Sequence, residues 1–377
     1  MSKSLQRVFG PLWRAIAGRK AYDIGLNIGL ERLNLMQLQP GAAGPAVLAA
    51  ASISHGSSRD DLIANPMRLK ELIKQAFAEQ PFHGSRVVTC LPSDHVRMLL
   101  LNYTVAEGAS ESDSVIRELR ERVHEELDGM VVDYIPVRQD QPSRPKEAIV
   151  AMAARDKVTA YLDVLSAAGL QVAALDVAPA ALARLMSWIN AAETSAFPNL
   201  LLINFGSRNS YLMVVWGRRL MLDRPVEFAE QRLLARLKNI LDIAEPEGKR
   251  LLLERGLGTS SGRDDGNEIS HTLAEVLRPE FAALKAEVNK TLIYTASRTH
   301  GRSVDTIYVV GSVARYPGIE HLLREQFPLP LKILDPCSIF KHHLTDKELA
   351  WLRPRSGVAA ATGLALRGVP VLWPTST

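Results

Sequence analysis

Hydrophobic positions in this chain come in short alternating or continuous blocks separated by turn residues. From Tyr22 to Ile53 the pattern predicts a strand meander: "AYDIGLNIG", "RLNLMQLQ" and, after the turn-like "PGAAGP", "AVLAAASIS". Residues 66–80, "PMRLKELIKQAFAEQ", carry apolar positions at helical spacing and predict an amphipathic helix. "RVVTCLP" at 86–92 is a short β-branched run ended by proline, as in a buried strand. Residues 97–176 then read as strand ("RMLLLNYTV"), helix ("ESDSVIRELRERVHEELDG"), two strands ("VVDYIPV", "EAIVAMAA") around the polar turn "RQDQPSRPK", helix ("RDKVTAYLDVLSAAG") and strand ("LQVAALDVAP"). Val115, Leu119, Val123 and Leu127 make one stripe on the first of these helices, which Gly129 stops. That order is a compact α/β module of ordinary domain size.

The plan restarts near Pro198. "NLLLINFG", "SYLMVVWG" and "RRLMLDRPVE" form a second meander, followed by helices. The stretch 257–270, "LGTSSGRDDGNEIS", is too rich in Gly, Ser and Asp to pack and predicts a solvated loop. A long helix over 271–299 leads to "VDTIYVVGSVARYPGIEHLLREQF", which reads as strand, glycine turn and helix. "GVAAATGLALRG" is a closing helix of small residues.

Laid over each other, the two meanders match. Asn27-Ile28-Gly29 falls on Asn204-Phe205-Gly206, and Leu35-Met36 falls on Leu212-Met213. In each, a strand ends, a glycine admits a tight hairpin, and successive backbone N–H groups can face phosphate oxygens. A duplicated lobe with a cleft between resembles the plan of the actin-like ATPases, and the resemblance implies an α/β fold class: a two-lobed actin-like (ribonuclease H-like duplicated) fold with an inserted small α/β subdomain in lobe one. In that superfamily an aspartate stands before each hairpin glycine, and the pair holds hydrated Mg²⁺ and orients the attacking water. A third signature, a strand followed by Gly-Gly, passes the adenosine. Here the acids are replaced by Asn27 and Asn204, and the Gly-Gly is Gly311-Ser312. The first hairpin offers Leu30, Glu31, Arg32 and Asn34 in place of small hydroxyl residues and a lysine. The second, "GSRNS", is closer to the expected chemistry with Gly206, Ser207 and Asn209.

The composition, 47% hydrophobic and 23% charged, suits a globular protein, and 377 residues suffice for two lobes. No apolar run approaches the roughly 20 residues that span a bilayer, and no secretory signal pattern is visible. A net charge of +4 without a dense Lys/Arg run among aromatics gives no sign of nucleic-acid binding. Residues 1–20 place Leu5, Phe9, Leu12, Trp13 and Ile16 at helical spacing among basic residues. Two readings stand: a membrane-surface helix, or a frayed basic end interrupted at Gly10-Pro11. Cys90 and Cys337 are single cysteines without metal spacing and read as buried thiols; adjacent His342 and His343 read as surface residues.

With these elements in order the chain resembles the PilM family of type IV pilus assembly proteins, relatives of FtsA. The resemblance covers nearly the whole chain. It rests on "GLNIG" where the family shows G-x-D-I-G, on the module at 97–176, on "LDVAP", and on the second hairpin. "VVGSVARYPGIEHLL" and "AAATGLALRG" complete it. It implies a basic segment at 1–20, lobe one at 21–96 with 177–195, and an inserted α/β subdomain at 97–176. Lobe two would be 196–230 with 303–377, carrying a helical subdomain at 231–302. It implies a cytoplasmic scaffold, peripheral to the inner membrane through its partners. Such a scaffold captures the N-terminal peptide of a PilN-like inner-membrane protein in a groove beside the inserted module, and couples the platform to the other pilus and motor proteins. It also implies ATP with Mg²⁺ in the cleft.

The departures bear on that last point. Asparagine keeps the shape of aspartate but not its charge, so the expectation is a cleft without hydrolysis and with weakened or lost nucleotide affinity. Two alternatives stay open: the asparagines hold Mg²⁺ through waters with ATP as a structural ligand, or they only cap their hairpins. Candidate cofactor-binding residues are Asn27, Gly29, Asn34, Asn204, Gly206, Ser207, Asn209, Gly311 and Ser312. Glu247 with Lys249 (or Arg250) in "AEPEGKR" is added on the adenine side. No catalytic or metal residue is assigned. Asp176, at a strand end, reads as a remaining cleft acid or as a cap. Competing functions are an active ATPase of the superfamily, which predicts the missing acids, and an FtsA-like membrane-tethered filament protein. The latter wants a terminal amphipathic helix where this chain has "VPVLWPTST".

Overall fold

The computed structural model describes residues 21–42, 44–123, 127–137, 145–193, 198–217, 219–257, 267–299, 301–353 and 355–370. The basic segment 1–20, most of the solvated stretch 257–270 and the terminal residues 371–377 therefore lie outside the described residues.

The elements follow in chain order. Lobe one opens with β1 (Ile24–Ile28), β2 (Arg32–Gln39), β3 (Ala46–Ser54), α1 (Arg59–Ile63), α2 (Pro66–Glu79) and β4 (Arg86–Cys90). Next come β5 (Arg97–Tyr103), α3 (Glu111–Arg122), β6 (Met130–Pro136), β7 (Lys146–Ala154), α4 (Arg155–Ala167), β8 (Gln171–Asp176) and α5 (Ala178–Glu193). The second half holds β9 (Asn199–Phe205), β10 (Ser210–Trp216), β11 (Arg219–Val226), α6 (Glu230–Leu241), α7 (Glu245–Glu254) and α8 (Asn267–Arg298). It ends with β12 (Thr306–Gly311), α9 (Ile319–Gln326), β13 (Leu331–Ile333), α10 (Asp346–Leu352) and α11 (Ser356–Ala365).

The predicted repeat is present as two five-stranded sheets of one topology, β3-β2-β1-β4-β8 and β11-β10-β9-β12-β13. In each the first three strands are an antiparallel meander and the last two are added in parallel. The central strands are near-continuous apolar runs because helices cover both faces, the rule for sheets with parallel crossovers. "NLLLINF" in β9 is buried at every position except Asn204.

A third sheet, β5-β7-β6, is wholly antiparallel and is covered by α3. Its own small core gathers Leu101, Tyr103, Val115, Leu119, Ala148 and Val150. This inserted module ends earlier than the strand pattern predicts. β8 does not join it but pairs in parallel with β4, Thr89 beside Leu175 and Cys90 beside Asp176. A parallel partner lies far back in the sequence, and no local signal marks which sheet edge a strand will complete.

The closing helix α11 also departs from the predicted division. It packs mainly on β1, β2 and α5 and touches the second sheet only at β12. A Cβ at Gly25 would sit 1.9 Å from the Ala361 carbonyl oxygen, so the backbone of β1 touches that of α11 directly. The small-residue run Ala359, Ala360 and Ala361 makes this approach possible. The end of the chain thereby places α11 under the first hairpin and aims its N-terminus into the space between the lobes.

Candidate functional site

The cleft between the lobes encloses about 250 Å³, and both hairpins line it. From lobe one come Asn27, Gly29, Glu31, Arg32 and Asn34; from lobe two come Asn204, Gly206, Ser207, Gly311 and Ser312. Eight of the predicted residues thus meet: Asn27, Gly29, Asn34, Asn204, Gly206, Ser207, Gly311 and Ser312. The backbone geometry explains the glycines of lobe two. Gly311 has φ +110°, and a Cβ there would meet the Phe205 oxygen at 2.0 Å; at Gly206 it would meet the Asn209 oxygen at 1.9 Å.

Three predicted residues do not line the cavity. Asn209 is exposed at the hairpin tip. Glu247 lies on α7, ion-paired to Arg250, which holds its carboxyl below the ordinary range. Lys249 reaches across the cleft mouth instead, with Nζ 3.2 Å from Glu230 and 3.6 Å from Glu31 of the first hairpin. Asp176 is buried and capped by two guanidinium groups, Arg184 at 2.9 Å and Arg367 at 2.8 Å, so it holds α5 and the end of the chain together.

Asn27 sits in a neutral chain of hydrogen bonds. Its Nδ2 donates to Cys90 Sγ at 3.4 Å, and its Oδ1 accepts from Asn34 Nδ2 at 3.4 Å. Asn34 also donates to the Arg32 carbonyl at 3.1 Å and accepts from Ser52 Oγ at 2.8 Å. Burial pushes the Cys90 thiol up to about 11, so it stays protonated beside the amide. An aspartate at position 27 would lose the donor that faces this sulfur. Asn204 is different: its Oδ1 is buried without a hydrogen-bond partner.

The cleft contains cations that strand and motif patterns do not identify. Arg315 follows the third signature, and Arg355 stands just before α11. Two guanidinium groups lie over the Trp351 ring, Arg355 Cζ at 4.2 Å and Arg32 Cζ at 4.8 Å from the ring centre. Arg32 Nε donates to Ser52 Oγ at 2.9 Å, and Arg355 Nε to the Trp351 carbonyl at 2.6 Å. Burial, then Arg315 and Arg32, push Arg355 down to about 10; burial and Arg315 lower Arg32 as well. Glu230, another residue not predicted, is buried in lobe two and accepts from Tyr316 Oη at 2.6 Å. Burial, and then this carboxylate, raise the Tyr316 phenol far above its ordinary value.

This donor set does not suit Mg²⁺ with a nucleotide. Mg²⁺ binds through carboxylates and phosphates in octahedral geometry. The one buried cleft carboxylate, Glu230, is taken by Lys249, Tyr316 and Arg315, the last at 3.6 Å. Among the described residues no three His, Cys, Asp or Glu side chains come together as a metal site.

A second cavity of about 300 Å³ lies where the inserted module meets both lobes. Val96 and Met98 line it from the module's entry, Leu182 from α5, and Tyr211, Met213 and Asp223 from the second sheet. Asn204 lines both cavities. Burial raises the Asp223 carboxyl to about 7.

The fold as a whole is similar to that of known proteins. The chain is similar to a chain of a PilM-PilN type IV pilus biogenesis complex, with TM-score 0.71 and 21% identity over 94% of this chain and 100% of that one. It is also similar to the ethanolamine utilization protein EutJ from Carboxydothermus hydrogenoformans, with TM-score 0.52 and 14% identity over 92% and 90%. No curated protein sequence matches it. These likenesses confirm the actin-like fold. The family model described as type IV pilus assembly protein PilM matches residues 25–369, and the chain therefore belongs to the PilM family of type IV pilus assembly proteins.

Proposed function

We propose that this protein is a non-enzymatic scaffold of a type IV pilus assembly platform that holds the cytoplasmic N-terminal peptide of a PilN-like inner-membrane protein. The observation that carries the reading is the likeness, over 94% of the chain, to a protein solved as part of a PilM-PilN complex, inserted module included. The cavity at the module junction suits a peptide side chain: apolar walls from Met98, Leu182 and Met213, with the polar groups of Tyr211, Asp223 and Asn204 in reach. The protein then works at the cytoplasmic face of the inner membrane through its partner. Among the described residues no helix is long and apolar enough to cross a membrane. The neutral Asn27 and Asn204 support the absence of ATP hydrolysis, since neither can orient a water as a carboxylate does.

The test is fluorescence anisotropy with a labelled synthetic peptide. Its sequence is that of the first residues of a PilN-like single-span membrane protein from the same genome. Saturable binding is expected, weakened roughly tenfold or more in Met213→Arg; absence of binding by the wild type overturns the reading. Phosphate release from Mg-ATP is expected to equal the protein-free blank, and steady turnover would make the protein an ATPase.

A further inference from the structure

We propose that the cleft is a metal-independent anion site in which Arg32, Arg315 and Arg355 bind the pyrophosphate group of a nucleotide or of a free polyphosphate. The inference concerns the cleft alone and stands apart from peptide capture.

Charge counting comes first. Four arginines line the cavity, Arg32, Arg59, Arg315 and Arg355, against the two acids Glu31 and Glu230. Arg59 is ion-paired to Asp94 outside the cavity. Glu230 is shared by Lys249, Arg315 and the Tyr316 hydroxyl. Arg32 and Arg355 are left with hydroxyl, carbonyl and indole contacts, and among the described residues neither has a carboxylate within ion-pair distance. Glu31, which acts on both from a distance, is mostly exposed and leans towards Lys249.

Beyond the effect of burial, Arg315 lowers the basicity of both Arg32 and Arg355, and Arg32 lowers that of Arg355, a cost that an anion would remove. They are also held in place. Arg32 and Arg355 both lie over the Trp351 ring, and Arg315 Nε donates to the Ser312 carbonyl at 3.2 Å. Each Nε is used within the protein, so these bonds fix the guanidinium planes and leave the remaining Nη groups as donors for phosphate oxygens. The first turn of α11 adds to the same wall. Ser356 and Gly357 line the cavity, and the N-cap Arg355 provides no side-chain cap for the N–H groups there. Gly357 is packed so closely that a Cβ would fall 2.3 Å from Asn34 Nδ2. The neutral Asn27 and Asn204 fit the same picture: neither hairpin-opening residue carries a negative charge that would repel an anion, and fixed positive charge faces the cavity.

The test is calorimetry on the full chain with sodium tripolyphosphate and, separately, with ATP, each in EDTA and in excess Mg²⁺. Binding is expected in EDTA, with no gain from Mg²⁺. Much tighter binding of ATP than of tripolyphosphate identifies a nucleotide as the ligand; equal binding identifies a free polyphosphate. Arg355→Gln and Arg315→Gln are each expected to weaken binding roughly tenfold or more, with Arg355→Lys recovering part of it. No heat from either anion in EDTA overturns the proposal, as does binding that requires Mg²⁺. Unchanged affinity in both glutamine variants, with melting temperature preserved, overturns it too. Should those variants not fold, the wild-type comparison of EDTA with Mg²⁺ decides alone.

Discussion

The two halves of this protein share one backbone plan and have diverged in chemistry at equivalent positions. Asn27 opens the first hairpin inside a complete hydrogen-bond network with Cys90 and Asn34; Asn204 opens the second with a buried, unpaired Oδ1. Gly29 has a looser turn, its virtual Cβ 3.1 Å from the Arg32 oxygen, whereas Gly206 would collide with Asn209 at 1.9 Å. Across from the third strand of each meander, Met36 pairs with Ala50 and Met213 with the half-buried acid Asp223. Strand order withstands such changes because backbone pairing and apolar burial set it. The side chains at the cleft carry little of that stability and are free to change the chemistry between the lobes.

The glycines offer the harshest test. Gly206→Ala is expected to lose about 3 kcal/mol or more in urea denaturation because backbone must move, and Gly29→Ala about 1 kcal/mol. Equal losses would mean that the two turns are equally tight.

Asp223 comes next. Its folded pKa of about 7 lies above the unfolded value of about 4, so the folded chain holds a proton that the unfolded chain releases. Stability should therefore fall as pH rises from about 4 to about 7 and level off above. Asp223→Asn should match the wild type at pH 4 and exceed it at pH 8 by about 2 kcal/mol. Parallel pH profiles for the two proteins would exclude a buried titrating acid.

The asparagines should separate by a smaller amount. Asn34→Ala removes the acceptor of Ser52 and the donor to Asn27, and about 1.5 kcal/mol should follow. Asn204→Ala removes an unpaired acceptor and should change stability by less than about 0.5 kcal/mol. The smallest effect is expected at the bridge between lobes. Glu31 is largely exposed, so Glu31→Ala should cost below about 0.5 kcal/mol, less still at high salt.

Much of the site was legible because hairpins leave local marks. The spacing of Asn27-Ile28-Gly29 and Asn204-Phe205-Gly206 located both turns, and Gly311-Ser312 the third signature. The pair Glu247 and Lys249 was placed by motif alone, and only Lys249 reaches the cleft, through Glu230. Arg315 and Arg355 were missed because a lone arginine in a turn-like stretch such as "ARYPG" or "RPRSG" looks like any solvated residue. Their meaning comes from Arg32 and Trp351, which lie hundreds of residues away for Arg32 and on the adjoining short helix for Trp351.

By itself the sequence determined what depends on neighbours along the chain: the strand and helix periods, the glycine turns, the duplicated meander, and an asparagine two residues before each hairpin glycine. Tertiary structure decided what depends on partners distant in sequence. It sent β8 to β4 rather than to the inserted module, laid α11 against Gly25 of lobe one, and gathered three arginines around one cleft. Parallel pairing, close helix approach and the field between charges are all set by distance in space, and a linear pattern carries no measure of that distance.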